Sequence, residues 1–187
     1  MKKNSKNKEL LALMDDYQLF MNAEKVISMP IKVSEVKSNH PTSLYVEGRV
    51  EYTGNIGEIS YDCELRNKRT DNYSFQLLSN KIKNKLLFRL DQGNGTHRNN
   101  YPGIKLQEQS VPTPHFHKYT EDGYLIAYQT DELKENTLMK VFEGVKSFCK
   151  EAKIGQGDGA DAEVSVQDNW EIPFQEDIDP LNGVNFE

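Results

Sequence analysis

Between residues 46 and 65 the chain repeats with a period of two. Val46, Gly48, Val50 and Tyr52 alternate with Glu47, Arg49 and Glu51, and Ile59, Tyr61, Cys63 and Leu65 alternate with Glu58, Ser60, Asp62 and Glu64. Side chains of a strand point alternately to its two faces, so this pattern specifies strands with one buried and one solvated face. Thr53-Gly54-Asn55-Ile56-Gly57 supplies turn residues between them, which predicts an antiparallel hairpin. Further strands are predicted over Val26–Val33, Tyr73–Leu78, Lys85–Asp91, His115–Tyr119 and Tyr124–Gln129, the last two joined by Glu-Asp-Gly. The expectation is a sheet of five to seven strands.

Helical spacing flanks this region. Leu10, Leu13, Met14, Tyr17, Phe20 and Met21 form one helix face ending before Met29-Pro30. After Thr130, an N-cap residue followed by Asp131 and Glu132, a second helix carries Leu138, Val141, Phe142, Val145, Phe148 and Cys149 on one face. A run of strands between two terminal helices predicts the α+β class with an antiparallel sheet. The expected organisation is a disordered N-terminus (1–8), one domain (9–154) and an acidic, aromatic-containing tail (155–187) that is disordered in the free chain.

Charge supports that division. Residues 151–187 hold ten acidic residues and one basic residue, whereas the remainder of the chain is mildly basic, near +3. No apolar run approaches the roughly 20 residues of a membrane span, and the start of the chain has no apolar stretch of the signal-peptide kind. A soluble, cytoplasmic protein is expected, with Cys63 and Cys149 as buried thiols because they lack C-x-x-C spacing.

Three of the four histidines, His97, His115 and His117, fall within 21 residues. His115 and His117 are two apart on a predicted strand and share a face, while His97 lies in a glycine-rich loop after Asp91 that can fold back toward them. Three roles fit. The imidazoles can hold a divalent metal, can act as acid and base in phosphodiester cleavage with Arg98 on the phosphate, or can support a long loop. No carboxylate or cysteine completes a metal signature, so the expectation leans to a chain without a cofactor.

From Arg66 to Lys105, nine basic residues face two acidic ones: Arg66, Lys68, Arg69, Lys81, Lys83, Lys85, Arg89, Arg98 and Lys105. With Tyr73, Phe75, Phe88 and Tyr101 between them, they can line a groove for single-stranded nucleic acid, or they can protect a sheet edge from pairing. The tail alternates acids with large apolar residues, among them the single tryptophan: Trp170, Ile172, Phe174, Asp177, Asp179 and Phe186. Such a segment docks on a partner or on the protein's own basic stripe.

The block Leu86–Tyr119, with Phe-Arg-Leu-Asp91, then His97-Arg-Asn99, then Pro114-His-Phe-His-Lys-Tyr119, is similar to one found in small phage and bacterial proteins. It also resembles the RYDN…HH…PHHKH pattern of the TumE-like toxin family, differing in that Arg98 follows His97 and the loop to His115 is longer. That resemblance implies RNA cleavage, with Asp91, His97, His115 and His117 as site residues. Glu171-Ile-Pro-Phe174 is similar to the terminal peptide of bacterial single-stranded DNA-binding proteins, which recruits replication and repair partners, but lies 13 residues from the end of the chain.

Three functions are therefore expected from this chain. The first is a phage or mobile-element protein that binds and inhibits or redirects a host nucleic-acid-processing protein, an anti-defence role in which the acidic tail imitates nucleic acid. The second is a ribonuclease-type toxin using the histidines. The third is a single-stranded nucleic-acid-binding accessory of replication.

Overall fold

The computed structural model describes residues 6–28, 30–93, 95–102, 105, 109–155 and 163–167. The fold is α+β. Seven antiparallel strands form the main sheet: β3 (Glu35–Lys37), β4 (His40–Val50), β5 (Ile59–Leu65), β6 (Tyr73–Ser79), β7 (Leu86–Gln92), β10 (His115–Tyr119) and β11 (Leu125–Tyr128). Their order across the sheet is β11-β10-β7-β6-β5-β4-β3. Between β7 and β10 the chain forms a small ribbon of β8 (Thr96–Arg98) and β9 (Ser110–Pro112). Two short parallel pairs join β1 (Lys25–Val26) to β12 (Ile154–Gly155) and β2 (Ile31–Val33) to β13 (Val164–Val166).

The alternation read from the sequence has its physical counterpart. Ile59, Tyr61, Cys63 and Leu65 are buried, and so are Phe75, Leu77, Phe88, Leu90 and Phe116 on neighbouring strands. This face is covered by helix α4 (Val141–Glu151), whose Phe148 ring lies 4.5 Å from Phe75 and 4.9 Å from Phe88. The opposite face carries polar rows in register. Asp62, Gln76, Arg89 and His117 lie across consecutive strands, as do Glu64, Ser74, Asp91 and His115. Cys63 and Cys149 are buried and are not joined in a disulfide.

Several boundaries differ from the sequence expectation. The first helix is two pieces, α1 (Lys8–Leu11) and α2 (Met14–Asn22), because Leu13 leaves helical geometry at φ −115° and ψ 20°. Asn7, expected to fray, caps α1 by accepting from the Leu10 N–H and donates its own backbone N–H to Gly123 O. The single strand expected over Val26–Val33 is split into β1 and β2. The helix expected after Thr130 is α3 (Asp131–Glu135), then a non-helical link, then α4. Gln92 Nε2 donates to Thr137 O and Met139 O in that link, holding carbonyls that a continuous helix would need internally. Leu138, expected on the buried face, is 79% exposed as a result. Finally, β13 lies within the segment expected to be a disordered tail: Val164–Val166 pair with β2, and the Gln167 N–H bonds to Val33 O.

Candidate functional site

β10 brings His115 and His117 onto the polar face beside β7, with His115 opposite Asp91 and His117 opposite Arg89. The third imidazole arrives on β8. Its ring centroid is 4.7 Å from that of His117 and 5.9 Å from that of His115. One nitrogen from each of the three rings falls within a group spanning 4.8 Å. The convergence expected from their spacing is therefore present, with Asp91 in contact.

Asn99 fixes the loop that carries His97. It is 2% exposed, and its side chain bonds to both the N–H and the C=O of Ala127 at 2.7 Å. Thr113 Oγ1 donates to Gly93 O, closing the base of the loop. Gly93 takes φ +139°, a region that a Cβ makes costly.

The hydrogen bonds assign the tautomer of His115. Its Nδ1 is 3.0 Å from Pro112 O, which can only accept, so Nδ1 carries the proton and the Nε2 of the neutral ring has a free lone pair. That Nε2 is 3.0 Å from His117 Nε2, which also lies 3.1 Å from Asp91 Oδ2 and 3.1 Å from the Arg89 guanidinium. Arg89 Nε stands 2.8 Å from Asp91 Oδ2, an ion-pair distance, though its N–H is not aligned for a hydrogen bond. Arg66 reaches the other carboxylate oxygen at 3.6 Å.

Burial sets the protonation states. Removal from water disfavours the charged imidazolium, which pushes His117 down to about 4 and lowers His97 and His115. Burial alone would raise Asp91, but the hydrogen bond from His117 and the charges of Arg89 and Arg66 outweigh it and hold the carboxyl down to about 2. At neutral pH the cluster is thus three uncharged imidazoles, one carboxylate and two guanidiniums. They line an open cavity of about 490 Å³. His97 Nε2 and His117 Nδ1 are buried without a hydrogen-bond partner.

His97, His115 and His117 could hold a metal ion through these nitrogens. A divalent cation would nevertheless join two guanidiniums, with Asp91 as the one carboxylate among the described lining residues. An anionic group meets one carboxylate, Asp91, against two guanidinium donors, so the fixed charge of the lining favours it.

Arg98 does not belong to this site. Alternation along β8 turns it away from His97, and its exposed guanidinium approaches Gln109 Oε1 at 3.4 and 3.5 Å. The guanidinium beside the imidazoles is that of Arg89, whose position in register with His117 could be read only once β7 and β10 were known to pair. The expected basic stripe also divides. Arg66, Lys68 and Arg69 lie in the β5–β6 connection, and Lys81, Lys83 and Lys85 in the β6–β7 connection, at opposite ends of β6. Those ends are roughly 20 Å apart at the rise of a strand. Arg69 is paired with Asp71, Lys81 Nζ donates to Asn55 O, and Lys105 is exposed in the loop before β9. Of these cations, Arg66 and Arg89 line the imidazole cavity. The proposed docking residues Trp170, Ile172, Phe174, Asp177, Asp179 and Phe186 lie outside the described residues.

No helix among the described residues is long and apolar enough to cross a membrane. No family model, curated protein or solved structure matches the chain.

Proposed function

We propose that the chain cleaves RNA at phosphodiester bonds, with Arg66 and Arg89 holding the phosphate and the imidazole cluster moving protons. One observation carries this reading: three uncharged imidazoles and two guanidiniums meet in a single open cavity. An imidazole base can activate a hydroxyl held beside it, and an RNA substrate carries one next to the bound phosphorus, its own 2′-hydroxyl, which serves as the nucleophile in this reading. Its oxygen bonds to the adjacent phosphorus as His115 Nε2 takes its proton. The bond from phosphorus to the 5′-oxygen breaks, and that oxygen takes up the proton from the His115 imidazolium just formed, which returns all three rings to the uncharged state. A 2′,3′-cyclic phosphate and a 5′-hydroxyl result, and nothing is oxidised or reduced.

The test incubates the full chain with end-labelled RNA in the presence of a chelator. Cleavage to cyclic-phosphate ends, lost in His97→Ala and in a His115→Ala/His117→Ala double variant that both keep the wild-type circular dichroism, supports the reading. Absence of cleavage, or equal cleavage by the variants, overturns it. The alternative role as an inhibitor of a host nucleic-acid-processing protein depends on residues 168–187, outside the described residues. The accessory role as a single-strand binder loses its main motivation where the cationic stripe divides.

A further inference from the structure

A second cavity of about 350 Å³ opens beside the imidazole cavity and shares Asn72, Gln92, Gly93, Gly95 and Thr113 with it. The two are parts of one groove that runs from the histidines over the glycines to Arg69 and Leu138. The character of the groove changes along its length. The imidazole end sets two guanidiniums against one carboxylate, whereas at the far end Asp71 binds Arg69 through two hydrogen bonds of 2.8 and 2.7 Å and cancels its charge. The two bonds orient the guanidinium plane and leave little attraction for a second phosphate. Beside it, Leu138 is 79% exposed although Met139 and Val141 next to it are buried, so an apolar side chain is held in solvent at the groove's edge.

We propose that this far end is a nucleobase subsite, seating the nucleotide adjacent to the phosphate bound by Arg66 and Arg89. The inference rests on the phosphodiester reading above and adds to it a requirement for a polynucleotide rather than a single nucleotide. An oriented guanidinium plane and an exposed leucine offer the face of a base a stacking partner and an apolar contact. The volume lies within the roughly 300–1,000 Å³ of small-molecule sites. Gly95 makes the floor: a Cβ built on it meets nothing within 4 Å, and its φ lies outside the left-handed region, so a larger residue is tolerated by the fold but projects into open space.

The experiment measures binding to the full chain by calorimetry, using a deoxydinucleotide, which has no 2′-hydroxyl and is not cleaved, and a deoxynucleoside 3′-monophosphate. The dinucleotide is expected to bind about tenfold more tightly. Leu138→Ser and Leu138→Gly, both outside the imidazole cavity, should each remove that difference while leaving the affinity for the monophosphate unchanged. Equal affinity of the wild-type chain for both ligands, or variants that weaken both or neither, would overturn the subsite. If the dinucleotide preference behaves as stated and RNA is still not cleaved, the catalytic reading falls and the binding site stands; if neither ligand binds, both fall.

Discussion

The side chain of Asn99 pairs with Ala127 as a neighbouring strand would, giving one hydrogen bond to its carbonyl and taking one from its N–H, both at 2.7 Å. Ala127 lies directly across β11 from His117 in β10. The loop that brings in His97 is thereby clamped to the edge of the sheet at the level of the other imidazoles, two residues along the chain from His97 itself. Asn99→Ala should leave two buried backbone groups of Ala127 unpaired, at a cost of about 2–4 kcal/mol in stability. Under conditions where the variant is fully folded, the proposed RNA cleavage should fall at least tenfold because His97 is no longer held. Chemical denaturation and single-turnover cleavage measure the two effects separately. A variant with full activity would show that the clamp does not position the cluster.

Acid should weaken the fold through the same cluster. His97, His115 and His117 all have folded pKa values below those of the unfolded chain, so the unfolded state binds more protons as the solution is acidified. Their stabilisation is complete above about pH 6.5 and is lost as the pH falls below that, for His117 as it falls toward 4; the contribution of Asp91 is lost only lower, as the pH falls toward 2. For His117, which is 1% exposed, the difference amounts to about 3 kcal/mol. Urea midpoints at pH 7 and pH 4.5 should therefore differ, and His117→Gln, which does not titrate, should reduce the difference. A midpoint independent of pH would contradict the burial assigned to these rings.

Much of the site was legible because its information is local. The spacing of His115 and His117 put them on one face, and the block from Asp91 to Tyr119 contained the carboxylate and the third imidazole. What was hidden depends on pairing between distant strands. Arg89 enters the site through the β7–β10 register, Arg66 reaches Asp91 from a turn two strands away, and the role of Asn99 requires β11 beside it. The strands followed their alternation closely because one face of each is buried. Helix lengths followed less closely, since Gln92 takes the carbonyls of Thr137 and Met139 out of any continuous helix, a capture with no signature in the periodicity. The basic stripe divides for a related reason: residues close in sequence but separated by a whole strand lie at opposite ends of the sheet.

Gly144 should resist the substitution that helix propensity favours. Alanine is ordinarily better than glycine inside a helix by about 0.5–1 kcal/mol. Here a Cβ would stand 1.7 Å from Tyr73 Oη and 2.6 Å from the ring carbon that bears it. Tyr73 is fully buried and cannot swing away, so α4 would have to lift from the sheet. Gly144→Ala should destabilise the protein by about 1–3 kcal/mol, the usual cost of overpacking a core. Adding Tyr73→Phe removes the hydroxyl but not the close ring carbon and should recover part of the loss. Thermal denaturation of the parent and the two variants checks this, and a more stable Gly144→Ala protein would mean that α4 sits further from β6.

The chain after α4 should contribute to stability, against the expectation drawn from its composition. β13 runs parallel to β2, with Ile31 N–H bonded to Glu163 O and Gln167 N–H bonded to Val33 O, so it satisfies backbone groups along a strand whose Ile31 and Val33 side chains are fully buried. Val164 and Val166 pack against the core from this strand, while Ser165 between them points the other way. Val166→Asp should therefore cost about 1–2 kcal/mol, since the site is only partly desolvated, whereas Ser165→Asp should stay within about 0.5 kcal/mol of the parent. A chain ending at Gly155 loses the pairing and both valines and should unfold at distinctly lower denaturant than the full chain. Equal stability of the shortened chain would show that β2 needs no partner on this side, and that the compositional reading of the segment was sufficient.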